Sequence, residues 1–440
     1  MTAVTSLSQA ARGFLLLASV VFLVGCEERE VVLPGDREPI RADTPPEIVN
    51  RSVPIRLSAQ RVNSEWAQGF GTPAYRTVHP ALSSAPQLIW SAQIGLGDSK
   101  RQRITAEPIV AAGRVYTLDA NALVTATNLS GQTLWSADIK PTFDQEGDAT
   151  GGGIAFHKGR LYVSIGYGDL VAMDAATGAV IWRQRLEATG SGQPTVVDGL
   201  VYLVAGDETG WALNTSDGTI AWQISATPSV ANVLGAPAPA VSGKLAVFAF
   251  GSGDIIATFR KGGARRWFGS VAGQRVGRSL ARISDATGAP VIVGNRVYVG
   301  NHSGRMVALD MEVGDEIWST PLGALGAIWP AGGSLFAVTD TQELVRLDAR
   351  NGEVIWSVDL PGFVKDRRLG RDELFAHYGP VVAGGRVIVV SNDGLMRSYA
   401  PDSGALVAQT EIPGGATTSP AVAGRTLYVV NRLGQLLAYR

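Results

Sequence analysis

A unit of about 45 residues recurs along most of this chain, and no other feature narrows the choice of architecture as far. In its clearest copy, Asn295-Arg-Val-Tyr-Val-Gly300 runs through Gly304 into Met306-Val-Ala-Leu-Asp310, then through Gly314 to Trp318. A β-rich run, a glycine turn, an alternating run, a second glycine turn and a strand ending in tryptophan make an antiparallel meander. The glycine that opens the hairpin recurs at Gly113, Gly159, Gly199, Gly243, Gly294, Gly333, Gly385 and Gly424. The glycine before the last strand recurs at Gly131, Gly178, Gly218, Gly263, Gly314, Gly352 and Gly404. The strand-ending position holds Trp90, Trp135, Trp182, Trp222, Trp267, Trp318 and Trp356, and then Ala408. Four strands in roughly 40–50 residues is the period of a β-propeller blade.

The two ends of the repeat array complete each other. After Ala408 the chain has strand patterns over 417–422, 425–430 and 436–439, then stops one strand short of a blade. A spare strand, 87–94, carrying Trp90, precedes the first full unit. An eighth blade made from both termini closes the ring and removes the edges that would otherwise invite aggregation. The expectation is therefore an all-β fold over 88–440, a single eight-bladed propeller whose last blade is closed by an N-terminal strand. A single ring replaces the three domains that 440 residues would otherwise imply. The recurrent tryptophans read as packing groups, each worth about 4–6 kcal/mol of gross burial at a blade junction. Pro108, Pro194, Pro239, Pro290, Pro330, Pro380 and Pro420 read as punctuation at strand starts. Asp174, Asp310 and Asp348 read as turn-forming side chains.

The N-terminus has a different character. Residues 1–12 are polar with one positive charge, 13–24 form a twelve-residue apolar run, and Gly25-Cys26 follows. A membrane-spanning helix needs about 20 apolar residues, so this is the pattern of a secretory signal, expected over 1–25. Leu23-Val24-Gly25-Cys26 resembles the bacterial lipobox, which implies that the Cys26 thiol is the lipid-attachment site. Residues 26–63, rich in charge and proline, read as the lipidated N-terminus and a flexible tether, and 64–87 as a lead-in.

Composition excludes several functions. The formal charge is −1, from 38 basic and 39 acidic residues, so no nucleic-acid binding by global charge is expected. A single cysteine rules out an intrachain disulfide, an iron–sulfur cluster and a multi-cysteine zinc site. The four histidines lack metal-ligand spacing, no serine lies in a nucleophile-elbow context, and Gly151-Gly152-Gly153 opens a strand rather than a phosphate-binding helix. No catalytic residue, metal or cofactor is expected. The densest basic cluster, Arg260-Lys261, Arg265-Arg266, Arg275, Arg278 and Arg282, reads either as solvated turns or as a contact for an acidic partner or lipid headgroups.

The pattern Tyr298-Val299-Gly300, Gly304, Ala308-Leu309-Asp310, Gly314 and Trp318 resembles the pyrroloquinoline-quinone (PQQ) enzyme repeat, and the likeness covers about 88–440. Trp66, Gly69, Gly71 and Pro73 are similar to a segment that often precedes such propellers. Lipobox, tether, eight PQQ-type blades and length together resemble the BamB family of outer-membrane β-barrel assembly lipoproteins. That resemblance implies a non-enzymatic scaffold, lipid-anchored on the periplasmic side of the outer membrane and monomeric outside its complex. It also implies a partner, the periplasmic POTRA domains of the barrel-assembly protein BamA, within the wider assembly machinery. The partner-contact segments of the family correspond to Ser229–Ala236 and Arg282–Thr287, which makes Val233, Leu234, Arg282 and Asp285 the candidate contacts. Leu234 stands where the family has an arginine, and Thr287 replaces a second aspartate. Two alternatives stay open: an envelope propeller lipoprotein that binds another protein, a peptide or a glycan, and a PQQ-dependent dehydrogenase. The second lacks the vicinal cysteines and the long inserts usual among alcohol-oxidising members.

Overall fold

In the computed structural model the described residues are 49–440, except 75–78, 146, 187, 189–191, 230–235, 274–285 and 366–372. They form eight four-stranded antiparallel sheets arranged as the blades of a propeller. Blades 1 to 7 span 109–138, 152–185, 195–225, 240–270, 291–320, 329–359 and 377–411, each a plain up-and-down meander. Blade 8 pairs Leu88–Gln93 with Gln435–Tyr439, then Thr426–Val430 and Ala421–Ala423, so both termini share one sheet as the repeat count requires. Gln87 and Arg440 exchange two backbone hydrogen bonds, each 2.9 Å, where the other blades have a turn.

The first two strands of each blade are joined by a tight hairpin. In blade 1 the two-residue loop is Ala112-Gly113, at φ 50° and 73°. Paired left-handed residues give the turn whose twist matches that of the strands, and only glycine takes that conformation without strain. Nothing lies within 4 Å of a Cβ built on Gly113, so backbone conformation rather than space selects the residue.

The tryptophans occupy the outermost strand, but they do not end it. Thr133–Asp138 carries Trp135 third and continues for three residues beyond it. Each ring lies over the glycine of the next blade's last turn, where an added Cβ would sit 2.6 to 3.0 Å from it, as at Gly263 over Trp222 and Gly131 over Trp90. Each indole N–H also donates across the junction, from Trp90 to the Leu129 carbonyl and from Trp356 to the Pro401 carbonyl. Arginine and tyrosine of the Arg-x-Tyr run join this clamp. The Ala175 carbonyl receives Arg114 Nη1 at 2.8 Å, Tyr116 OH at 3.1 Å and Trp135 Nε1 at 3.3 Å. The Ala349 carbonyl receives Arg296, Tyr298 and Trp318 in the same way. The aspartates before the turn do accept local backbone N–H groups, Asp174 from Ala176 and Thr177 and Asp310 from Glu312 and Val313.

Residues 49–63, expected within the tether, lie instead against the propeller. Arg51 donates its N–H to the Ile355 carbonyl, and Val53 to the Asp402 carbonyl. Arg346, only 2 % exposed, answers by donating to the carbonyls of Val53, Pro401 and Asp402. The sequence signal for this was the alternation Val53, Ile55, Leu57, whose side chains pack on the core while their neighbours stay exposed. Proline and charge around that alternation mask it at the level of composition.

From there the chain circles the axis as a strap. Asn63 bonds to blade 8, Trp66 to Val110 of blade 1, Ala67 to Phe156 of blade 2, and Gln68 to Val196 of blade 3. Pro73 and Ala74 then accept from Val241 of blade 4 and Ile292 of blade 5, and Pro80 from Gly384 of blade 7. All these contacts lie near the hairpins between first and second strands, so the strap covers one face of the ring. At its centre Trp66 and Phe70 pack on Trp329, with ring centroids 6.2 and 5.4 Å apart.

Candidate interaction face

On the opposite face the interblade connections return the chain to the axis. Five innermost strands are preceded there by a residue immediately before proline, Glu107, Gln193, Ala238, Ala289 and Ser419, and in blade 7 Gly379 holds the pre-proline place inside the strand. Proline confines the residue before it to extended backbone, which gives the first five a common geometry, whereas Gly379 has φ of 103°. All six line one axial cavity of about 620 Å³, with Phe70 of the strap also in its wall. Repeat position therefore carried more than punctuation. Six of the seven repeat prolines mark where the axis is, and the residues before them form part of its lining.

The lining is lopsided. Glu107, Gln193, Thr418 and Ser419 supply polar groups, while Ala238, Ala289 and Ala327 supply an apolar wall. Burial pushes the Glu107 carboxyl up to about 7, against the opposing pull of hydrogen bonds from the Ser419 hydroxyl and the Phe70 N–H. Its Oε2 is buried without a partner, as is the Thr418 hydroxyl. His377 is held below the usual histidine range, first by burial. Its Nε2 faces the Pro361 carbonyl at 2.8 Å and so donates, leaving Nδ1 to accept from Ser391, 2.6 Å away. Burial likewise pushes Tyr378 up to about 12, with the nearby Asp98 charge adding to it. Asp98 accepts from the Ile104 N–H and the Thr417 hydroxyl and pairs with Arg103 at 3.6 Å. Arg103 and Glu373, both exposed, stand at the mouth.

The two segments expected to contact a partner are the connections from blade 3 to blade 4 and from blade 4 to blade 5. Val233, Leu234, Arg282 and Asp285 themselves lie outside the described residues, as does Cys26. Their flanks do not: Ala236, Pro237 and Thr287 line the axial cavity, and the Thr287 hydroxyl donates to the Ala324 carbonyl at 2.9 Å. The described flanks of both segments thus lie on the face opposite the strap. Phe143, 99 % exposed, and Leu433, 60 % exposed, stand on the same face, on the blade 1 to 2 connection and on a turn of blade 8. Neither was singled out from sequence, because a lone apolar residue in a polar loop carries no periodicity. The seven tryptophans sit at blade junctions and none lines the cavity.

The basic cluster is divided. Arg260 ties blade 4 to blade 3 through Asp198 at 2.8 Å and the Tyr202 hydroxyl, whereas Lys261, Arg265 and Arg266 are exposed. Among the described residues no group of three or more His, Cys, Asp or Glu side chains is placed to hold a metal ion.

Comparison with known proteins bears on both the ring and its open face. A family model described as outer membrane protein assembly factor BamB matches residues 120–358. The assembly factor BamB of Moranella endobia is 25 % identical over 359 residues, covering 80 % of this chain and 90 % of that protein. The crystal structure of BamB from Moraxella catarrhalis superposes with a TM-score of 0.66 at 17 % identity, covering 81 % of this chain and all of that one. A europium-containing methanol dehydrogenase superposes with a TM-score of 0.65 at 13 % identity, so the fold by itself does not separate scaffold from enzyme.

Proposed function

The chain belongs to the family of the outer membrane protein assembly factor BamB, and from that premise we propose that it is a non-enzymatic scaffold of outer-membrane β-barrel assembly. In this reading lipid on Cys26 anchors the protein to the periplasmic face of the outer membrane. The open face of the propeller binds the periplasmic domains of a BamA-type barrel-assembly protein, along with other components of that machinery. The observation that carries the reading is the family match across blades 2 to 5 and most of blades 1 and 6, the stretch that contains both contact segments. Two features of the geometry support it. The strap occupies one face, which leaves the other free for a partner. The described flanks of the proposed contact segments, Ala236 and Thr287, line the cavity on that face.

The contact chemistry divides between an apolar pair, Val233 and Leu234, and a charged pair, Arg282 and Asp285, on consecutive connections. Apolar side chains supply area removed from water, while the charges set register and select the partner. Detergent extraction of membranes followed by capture of the full-length protein tests the assignment. Co-purification of the barrel-assembly protein is expected, and its clean absence overturns the reading. Asp285→Arg combined with Leu234→Asp is expected to weaken capture at least tenfold while the far-ultraviolet spectrum and melting temperature stay unchanged. Undiminished capture moves the interface elsewhere on the ring. Added PQQ and Ca²⁺ are expected to leave the absorbance unchanged and to produce no dye-linked alcohol oxidation.

A further inference from the structure

Seven blade junctions share one clamp, in which an outer-strand tryptophan lies over the next blade's turn glycine and donates to a carbonyl of that turn. The junction from blade 7 to blade 8 has Ala408 in place of tryptophan. It also has no turn for a ring to cover, because the third and fourth strands of blade 8 are the two ends of the array. Among the described residues this junction has apolar packing and a few side-chain bonds near the rim, such as Tyr439 OH to the Glu411 carbonyl at 2.8 Å, and the connecting chain adds backbone bonds from Ala416 to the Ser391 carbonyl and from Arg432 to the Gly415 carbonyl, but no indole clamp.

The strap supplies what is missing. One stretch is bound to blade 8: the Gly424 N–H donates to the Asn63 carbonyl at 2.7 Å, and Asn63 Nδ2 donates to the Val422 carbonyl at 2.6 Å. A second stretch is bound to blade 7: the Gly384 N–H donates to the Pro80 carbonyl at 3.0 Å, and the Gly385 N–H to His79 Nε2 at 2.9 Å. The two stretches are bound to each other. Arg61 donates its N–H to the His79 carbonyl at 2.9 Å, and Ala81 to the Arg61 carbonyl at 2.8 Å. An unbroken series of hydrogen bonds therefore runs from blade 8 through residues 61–63 and 79–81 to blade 7. Between these stretches the strap passes blades 1 to 5 in order.

We infer that residues 61–63 and 79–81 are the clamp of the eighth junction, and that release of the strap is the event that opens the ring between blades 7 and 8. The segment leading toward the N-terminus is then a closing element of the propeller rather than a linker attached to it. Its position has a physical logic. A ring of repeats sealed by its own termini has one junction without the local tryptophan–glycine pair. Opening there exposes the apolar sheet faces that blades 7 and 8 pack together. Hydrogen bonds between segments about 20 residues apart supply at that junction what a single indole supplies at the others. The inference does not depend on the partner or on lipidation.

Amide hydrogen exchange of the full-length protein tests it, because exchange reports local opening strand by strand. Asn63→Ala combined with Ala81→Pro removes one link to blade 8 and one link between the two stretches. The variant is expected to speed exchange at least tenfold in 88–93 and 421–439, with less than a twofold change in blades 2 to 4. Trp222→Ala is expected to do the reverse, loosening blades 3 and 4 and sparing blade 8. Acceleration spread evenly over all eight blades, or none in blade 8, overturns the inference. If the double variant does not fold, the unaltered protein in low denaturant decides. There the amides of Arg61, Ala81, Gly384 and Gly424 are expected to exchange together with those of 435–439. Strap amides that exchange much faster than a still-protected closing blade overturn it equally.

Discussion

At the scale of single residues, the most consequential group is Glu107, a carboxyl enclosed where blade 1, blade 8 and the strap meet. Its folded value of about 7 lies above the 4.5 of a free side chain. The folded protein therefore binds more protons than the unfolded chain between those values, and stability falls as pH rises through that window. Above pH 7 the charged form is present at its full cost, and below pH 4.5 the cost is absent. Glu107→Gln keeps the shape and removes the ionisation. Its melting temperature is expected to exceed that of the unaltered protein at pH 8, by a stability difference of about 1–3 kcal/mol, and to converge with it near pH 5. A parallel offset at both pH values would show that Glu107 does not titrate there. The neighbouring Thr418 and Ser419 lead into blade 8, so this pH dependence belongs to the place where blades 1 and 8 and the strap meet.

At the scale of elements, the unit of construction is the junction rather than the blade. A tryptophan placed over a glycine and donating to a carbonyl of its turn, joined at three junctions by an arginine and a tyrosine on the same carbonyl, defines the angle between neighbouring sheets. The energetic weight of the pair is testable as a cycle. Gly263→Ala puts a methyl group 2.6 Å from the Trp222 ring at a residue with φ of 68°, and is expected to cost about 1–3 kcal/mol in denaturant unfolding. Trp222→Ala is expected to cost about 3–5 kcal/mol. In the double variant the two costs should sum to more than is measured, since the clash disappears with the ring. Strict additivity would mean that the glycine is required by its backbone angle alone. The same geometry accounts for Ala408. Where the next blade has no turn, a tryptophan has nothing to cover.

At the scale of the whole molecule, the ring has two unlike faces, one crossed by the strap and one holding the cavity mouth and the described flanks of the proposed contact segments. The chain reaches the ring at residues 50–53, against blades 6 and 7 on the strap side. Cys26 lies 23 residues before Val49. Cys26→Ser is expected to move the protein from the membrane to the soluble fraction, with the propeller's melting temperature unchanged. One acyl chain gives only marginal binding and two or more give stable anchoring, so the shift should be nearly complete. Retention of the variant in carbonate-washed membranes would show that another element holds it there.

The number of blades, the closure of the ring by both termini and the places of the tryptophans were all readable before any coordinates, because each is written in residues that recur at a fixed period. Trp135 and Gly178, for instance, announce themselves through their copies. Features that occur once have no copies. The alternation Val53, Ile55, Leu57 is too short to stand out among prolines and charges, so the order of 49–63 emerged only when those side chains met the core. The pre-proline residues stood at known positions, but Glu107 and Ser419 are 312 residues apart in the chain, and nothing local says that they meet. Periodicity is a local property and survives in one dimension. The strap's circuit, the enclosed carboxyl and the two unlike faces are contacts between distant segments, and only the closed ring brings those segments together.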